Sequence, residues 1–248
     1  MTTGVWKQIQ IAGKTVDLYE PARPHADRRA ALHLHGHGGT TLYENPVYTA
    51  ELEKHGLWCI CPHGARSWWG KRICSEFDPT LSPVSYLIDH LLPTLKSDYA
   101  LESPRIALTG ISMGGQGALR LSYWYPRIFP VVVGIAPAVD YYRWVGQGLG
   151  LPLDEMYATA ESARQESATL ELHPLNWPRN QYILCDPADT EWIDSSERLI
   201  SKLRSMGIPY ESDLQTSNGG HCWEYFNQVA PQVMKYVAEK LEEEAHRL

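Results

Sequence analysis

The chain has 248 residues, 44% of them hydrophobic, 21% charged and 10% aromatic, the profile of an ordinary globular protein able to bury a large core without disulfides or metals. Lysine plus arginine number 22 against 29 aspartate plus glutamate, a formal net charge of -7 without a basic stripe, which excludes a nucleic-acid binder. The longest strongly apolar run, Val131 to Ala138, is too short to cross a bilayer, and nine tryptophans stand beside three phenylalanines.

In chain order, Met1 to Gln10 carries neither the basic nor the apolar segment of a secretory leader. Five cysteines, an odd count, fit no disulfide framework, so a cytoplasmic, reducing location is expected. Gln8–Ile11 and Thr15–Tyr19 alternate about Ala12-Gly13-Lys14 and predict a β-hairpin. Ala30–His35, Leu57–Cys61, Ile106–Thr109, Val131–Ile135 and Tyr182–Cys185 are short apolar runs of the kind found in strands covered on both faces, and Tyr210–Gln215 is a last strand. Helical spacing lies between them at Tyr48–His55, Val84–Tyr99, Gly115–Tyr125 and Ile193–Met206, with a closing helix over Glu224–Glu244. Strands alternating with helices predict an α/β fold with a mainly parallel central sheet of about eight strands, in a single domain spanning 1–248. A segment at about 140–180, with glycines at 146, 148 and 150 and a helix expected over Asp154–Leu170, reads as a small cap-like insertion above the carboxyl ends of the strands.

The strongest motif is Gly110-Ile111-Ser112-Met113-Gly114-Gly115, set between a strand and a helix. That is the context of a nucleophile elbow, where a sharp turn exposes the serine hydroxyl and leaves no room for side chains at the flanking glycines. A serine hydroxyl needs a base, and the base needs an orienting acid. His221, in the loop Ser217-Asn218-Gly219-Gly220-His221-Cys222-Trp223, stands downstream in a glycine-rich turn before a helix, where the base belongs. For the acid, Cys185-Asp186-Pro187-Ala188-Asp189 offers two residues: Asp189 is favoured, Asp186 is suited to forming the turn before Pro187, and Asp194 lies further on. The Met113 N–H, at the helix start, and the His37 N–H, in His35-Gly36-His37-Gly38-Gly39, are the expected oxyanion donors, with Gly38 an alternative to His37. His33, His35 and His37 alternate, and with His63 they could converge on a metal; the break at Gly36 and the lack of a carboxylate favour instead no metal site, with His33 and His35 as packed strand-end residues bonded to backbone.

Together these segments resemble the α/β-hydrolase superfamily, and within it the esterase D-like group of S-formylglutathione hydrolases, feruloyl and acetyl esterases and antigen 85 mycolyltransferases. The resemblance rests on Leu34-His35-Gly36, Gly110–Leu119 (GISMGGQGAL), Cys185–Asp189, Gly207-Ile208-Pro209 and Gly220-His221-Cys222-Trp223; Ile111, Gln116 and Cys222 depart from the residues common in that group. It implies an α/β-hydrolase fold, a Ser112, Asp189 and His221 triad, an oxyanion hole formed by the residues after Gly36 and after Ser112, and no cofactor. The expected activity is hydrolysis of a small-molecule carboxylic ester through an acyl-enzyme. A serine peptidase, an acyltransferase or a non-catalytic binding protein are the alternatives on this fold. No nucleic acid or membrane partner is expected, and assembly into a homo-oligomer is left open.

Trp68, Trp69, Tyr141, Tyr142, Trp144, Trp192 and Trp223 all follow strand ends, so they are expected around the mouth of the site, where they suit aromatic or carbohydrate esters. Arg66, Lys71 and Arg72, beside Trp68 and Trp69, are candidates for holding a substrate anion.

Overall fold

In the computed structural model, which describes residues 4–247, the apolar runs assemble into one sheet. Met1 to Thr3, part of the segment read above for a leader, lie outside the described residues. The strands are β1 (Val5–Ile11), β2 (Lys14–Glu20), β3 (Ala30–Leu34), β4 (Trp58–Pro62), β5 (Ile106–Ile111), β6 (Val131–Ile135), β7 (Asn180–Leu184) and β8 (Glu211–Asp213). They lie in the order β1-β2-β4-β3-β5-β6-β7-β8. The β1–β2 hairpin and the β2–β4 pair are antiparallel, and every pair from β4 to β8 is parallel. Leu32, Leu108 and Val132 stand side by side across its centre, where β3 to β6 are buried along their whole length.

Helix α1 (Pro46–His55) packs on the closing helix α9 (Trp223–Ala245), which lies over β5 and β6; α4 (Met113–Trp124) lies over β3, β5 and β6 from the other side. Asn45 caps α1 through its side chain, and Gly56 ends it in the left-handed conformation. The helix expected over Val84–Tyr99 is helical throughout but not uniform: α2 (Pro83–Ser85) passes through a π-helical stretch, Tyr86–Leu91, into α3 (Leu92–Tyr99). Pro93 lacks the N–H that a regular helix would donate at that point.

The expected helix over Asp154–Leu170 is instead broken into α5 (Leu153–Met156), α6 (Ala160–Gln165) and α7 (Ala168–Glu171), preceded by a 3₁₀ turn at Tyr141–Trp144. Thr159 starts α6 with a reciprocal capping box, and Ser167 is extended, so each break coincides with a residue that caps or interrupts rather than continues a helix. Helix α8 (Ile193–Ser205) follows β7. Because β3, β5, β6, β7 and β8 run parallel, the segments leaving their carboxyl ends emerge on one edge of the sheet, which brings together residues more than 180 positions apart in sequence. No helix among the described residues is long and apolar enough to cross a membrane.

Candidate active site

Ser112 ends β5 and precedes α4 with φ 56° and ψ −118°, a conformation costly for a residue with a side chain. It is held there from several directions. Its N–H donates to Ile135 O at 2.9 Å, and its carbonyl accepts both Gln116 N and Ala138 N at 3.0 Å, tying the elbow to β6 and to the helix it starts. The glycines are required by contact: a Cβ at Gly110 would sit 2.2 Å from Gly114 O, and one at Gly114 would sit 1.8 Å from Leu34 O. Strand, turn and helix thus approach at backbone distance, and Ser112 is turned out of the sheet.

The loop after β7 carries the two aspartates, which have different partners. His221 Nδ1 lies 2.7 Å from Asp189 Oδ2. The other oxygen of Asp189, Oδ1, accepts the Glu191 and Trp192 N–H groups at 3.2 and 3.1 Å, so the carboxylate is clamped at the start of α8 while one oxygen faces the imidazole. Asp186 does not reach His221. It accepts Ala188 N, Ser217 Oγ, Asn218 N and Gly220 N at 2.6–2.9 Å, and so ties the His221 loop to the β7 loop. Burial pushes the Asp186 carboxyl up, but these donors outweigh it and hold it below the usual aspartate value. Asp194 is exposed in the first turn of α8. Gly219 and Gly220 take φ of 86° and 83°, and a Cβ on Gly220 would lie 3.0 Å from Ala188 O, so the loop passes close to Asp189 only without side chains.

On the opposite side, the loop after β3 brings Gly36, His37 and Gly38 into the same cavity as Ser112 and His221. Its far end is pinned by Thr41 Oγ1, which donates to the buried Asp17 Oδ2 at 2.6 Å; His63 Nε2 lies 2.8 Å from the same oxygen. Met113 is the first residue of α4, so its N–H has no acceptor within the helix. Of the four histidines weighed as metal ligands, His33, His35 and His63 are engaged with separate partners, while His37 Nε2 is buried without a hydrogen-bond partner among the described residues. His35 is bonded to backbone as expected, at Gly36 O and Gly64 N, whereas His33 pairs with the Thr109 side chain rather than with backbone. Burial drives the His33 imidazole down to about 3 and lowers that of His37 as well. Among the described residues, no three His, Cys, Asp or Glu side chains are grouped as metal ligands.

Residues 75–235, which include the elbow, both aspartates and His221, match the model of the family described as "Putative esterase". The chain belongs to the esterase family. It is a carboxylic ester hydrolase. No curated protein is matched by the sequence. Among solved structures, an S-formylglutathione hydrolase from Agrobacterium tumefaciens is similar at 17% identity and a TM-score of 0.78, with 96% of this chain and 94% of that one covered. The fluorophosphonate-binding serine hydrolase F of Staphylococcus aureus is similar at 14% identity and a TM-score of 0.79, over 96% and 99% of the two chains. MPT51 of Mycobacterium tuberculosis is similar at 16% identity and a TM-score of 0.73, over 94% and 98%. These likenesses show the α/β-hydrolase fold.

In this esterase, Ser112 and His221 open onto a cavity of about 460 Å³. Of the aromatic residues expected around the mouth, Trp144, Trp192 and Trp223 line it, joined by Phe226. Trp68, Trp69 and Tyr141 do not; they are buried beneath it. Trp68 and Trp69 both take positive φ, 54° and 50°, which turns the pair inward. Trp69 fills space left by Gly64, where a Cβ would meet its ring at 2.4 Å, and by Gly117, where one would meet the Trp69 Cβ at 2.6 Å, and it donates to His35 O at 3.1 Å. Trp68 stacks on Tyr141 at 4.8 Å, and Tyr142 is half-buried outside the cavity wall. The anion-binding expectation for the nearby cations is also corrected: Arg66 pairs with Glu76, Arg72 pairs with Glu166, and Lys71 Nζ lies 3.7 Å above the Trp124 ring, none of them in the cavity wall. Leu149, Leu151 and Glu191 line the cavity as well, with Thr40, Ile111 and Cys222; the first three are not foreseen from the sequence, where the alternating glycines at 146, 148 and 150 are the one visible signal for Leu149 and Leu151.

Proposed function

We propose that Ser112, His221 and Asp189 act as a nucleophile, base and acid that hydrolyse a small-molecule ester in two acyl transfers. The observation that carries this is the 2.7 Å contact between His221 Nδ1 and Asp189 Oδ2 beside a cavity that His221 shares with the strained Ser112. Asp189 fixes the ring with Nδ1 protonated, which leaves Nε2 free to accept a proton. Ser112 Oγ then bonds to the ester carbonyl carbon as its proton passes to His221 Nε2, and the carbonyl electron pair moves to oxygen. The N–H groups of Met113 and His37 stabilise that oxyanion. When the intermediate collapses, the bond to the alcohol oxygen breaks and the alcohol leaves with the proton from Nε2. Water repeats the sequence on the acyl-enzyme, releasing the acid and regenerating Ser112.

Walls of Trp144, Trp192, Trp223 and Phe226 support an aromatic or carbohydrate ester, since flat rings offer apolar faces to planar or ring-shaped groups. Five free thiols support a reducing, cytoplasmic compartment. Labelling by a fluorophosphonate probe, with Ser112→Ala as control, tests the nucleophile. Turnover of acetyl, butyryl, feruloyl and sugar esters then tests the substrate class. Wild-type protein that neither labels nor hydrolyses p-nitrophenyl esters refutes the assignment.

A further inference from the structure

We infer that Leu149, on the loop Gln147–Gly150, sets the acyl size this esterase accepts and favours acyl groups extended well beyond acetyl. The inference rests on the Ser112 assignment above and adds the substrate's acyl class. Leu149 is 56% exposed, yet it lines the cavity that holds Ser112. Its flanking residues explain how it can be in both places. Gly146, Gly148 and Gly150 take φ of +78°, +66° and +64°, with nothing within 4 Å of where a Cβ would stand, so the backbone loops out into open space. The loop is tied at its ends, by Gly146 N to Asp154 Oδ1 at 2.7 Å and Gln147 N to Trp144 O at 3.3 Å before it, and by Asp154 N to Leu151 O at 3.4 Å after it. Between those ties Gly148, Leu149 and Gly150 make no hydrogen bond among the described residues. A wet leucine on a segment so lightly held gains by covering an apolar ligand.

Chemistry decides which part of the ester it covers. Because the leaving oxygen takes its proton from His221, the alcohol is assigned to Cys222 and Trp223, which follow His221 in the chain, and the acyl chain to Trp144, Leu149 and Leu151; all five line the cavity. The whole cavity, alcohol side included, is about 460 Å³, in the range that takes a drug-sized ligand, so it has room for an acyl group longer than acetyl.

The test is kcat/KM for p-nitrophenyl acetate, butyrate and octanoate with the full chain and with Leu149→Ala, Leu149→Met and Leu175→Ala, the last 85% exposed and outside the cavity wall. Leu149→Ala is expected to lose about tenfold on octanoate, through KM, and under twofold on acetate, with Leu149→Met restoring octanoate and Leu175→Ala changing neither. In a second arm, binding of p-nitrophenyl octanoate to Ser112→Ala is followed by tryptophan fluorescence and is expected to weaken about tenfold when Leu149→Ala is added. A loss equal at every chain length, or no loss on octanoate in either arm, overturns the inference. Absence of turnover on all esters, with Leu149-dependent octanoate binding intact, counts against the Ser112 assignment and supports the acyl wall.

Discussion

The backbone N–H of Gly220 donates to Asp186 Oδ2 at 2.9 Å, so the residue before the proposed base hangs from the carboxylate that is not its partner. With Asn218 N and Ser217 Oγ on the same carboxylate, Asp186 sets where His221 begins. Asp186→Ala is expected to lower kcat roughly 10²-fold, the scale of an ångström-sized misplacement, with a smaller change in KM. Steady-state kinetics on p-nitrophenyl acetate check this, and an unchanged kcat removes Asp186 from the positioning of the base.

The same bonds make stability depend on acid. Asp186 is held below its unfolded value of about 3.9, so its folded form binds fewer protons than the unfolded chain as pH falls. Its contribution is complete above the unfolded value and is lost as pH drops through the folded one. Urea midpoints measured from pH 6 down to pH 3 should fall more steeply for the wild type than for Asp186→Asn, which starts lower and has less to lose.

Asp189→Asn leaves the shape of the contact with His221 Nδ1 but replaces its acceptor with a group that can donate. The ring is then held in the wrong tautomer, and kcat should fall about 10⁴-fold while the fold persists. Fluorophosphonate labelling should slow in parallel. Near-normal turnover would return Asp186 to consideration as the acid.

Gly114→Ala would place a methyl group 1.8 Å from Leu34 O, a backbone atom at the end of β3 that has no rotamer to escape into. The variant should lose about 3 kcal/mol or more in urea unfolding, since overpacking here must shift backbone rather than a side chain. Gly148→Ala, strained at φ +66° but with open space around it, should cost far less in the same assay.

Arg120, in α4 and fully buried, holds down the segment 141–166. Its guanidinium donates to Trp68 O at 2.9 Å, Glu166 O at 2.7 Å and Tyr141 Oη at 3.1 Å. Arg120→Met strands those buried acceptors, and should cost about 3 kcal/mol. Limited proteolysis should then nick the chain between Tyr141 and Glu171 before it cuts elsewhere.

Much of this was legible because it is local. The elbow is written in six consecutive residues, Gly110 to Gly115, whose spacing has one geometric solution between a strand and a helix. The hairpin, the strands and the long helices follow from periodicity within a dozen residues. The insertion was harder: capping and breaking residues at Thr159 and Ser167 cut one apparent helical stretch into short pieces, a competition that hydropathy alone does not reveal.

By itself, then, the sequence determined the α/β alternation, the strand–turn–helix that carries Ser112 and the glycine-rich loop that carries His221, since each depends on neighbours along the chain. Only the tertiary structure sets Asp189 rather than Asp186 against the His221 imidazole: the two stand three positions apart on one turn and both meet the loop some thirty residues later, Asp186 at Ser217, Asn218 and Gly220 and Asp189 at His221. It likewise decided which tryptophans face the cavity. Trp68 and Trp69 follow a strand end as surely as Trp192 does, but Gly64 and Gly117 leave room for Trp69, Trp68 stacks on Tyr141, and a large ring fills buried space in preference to water.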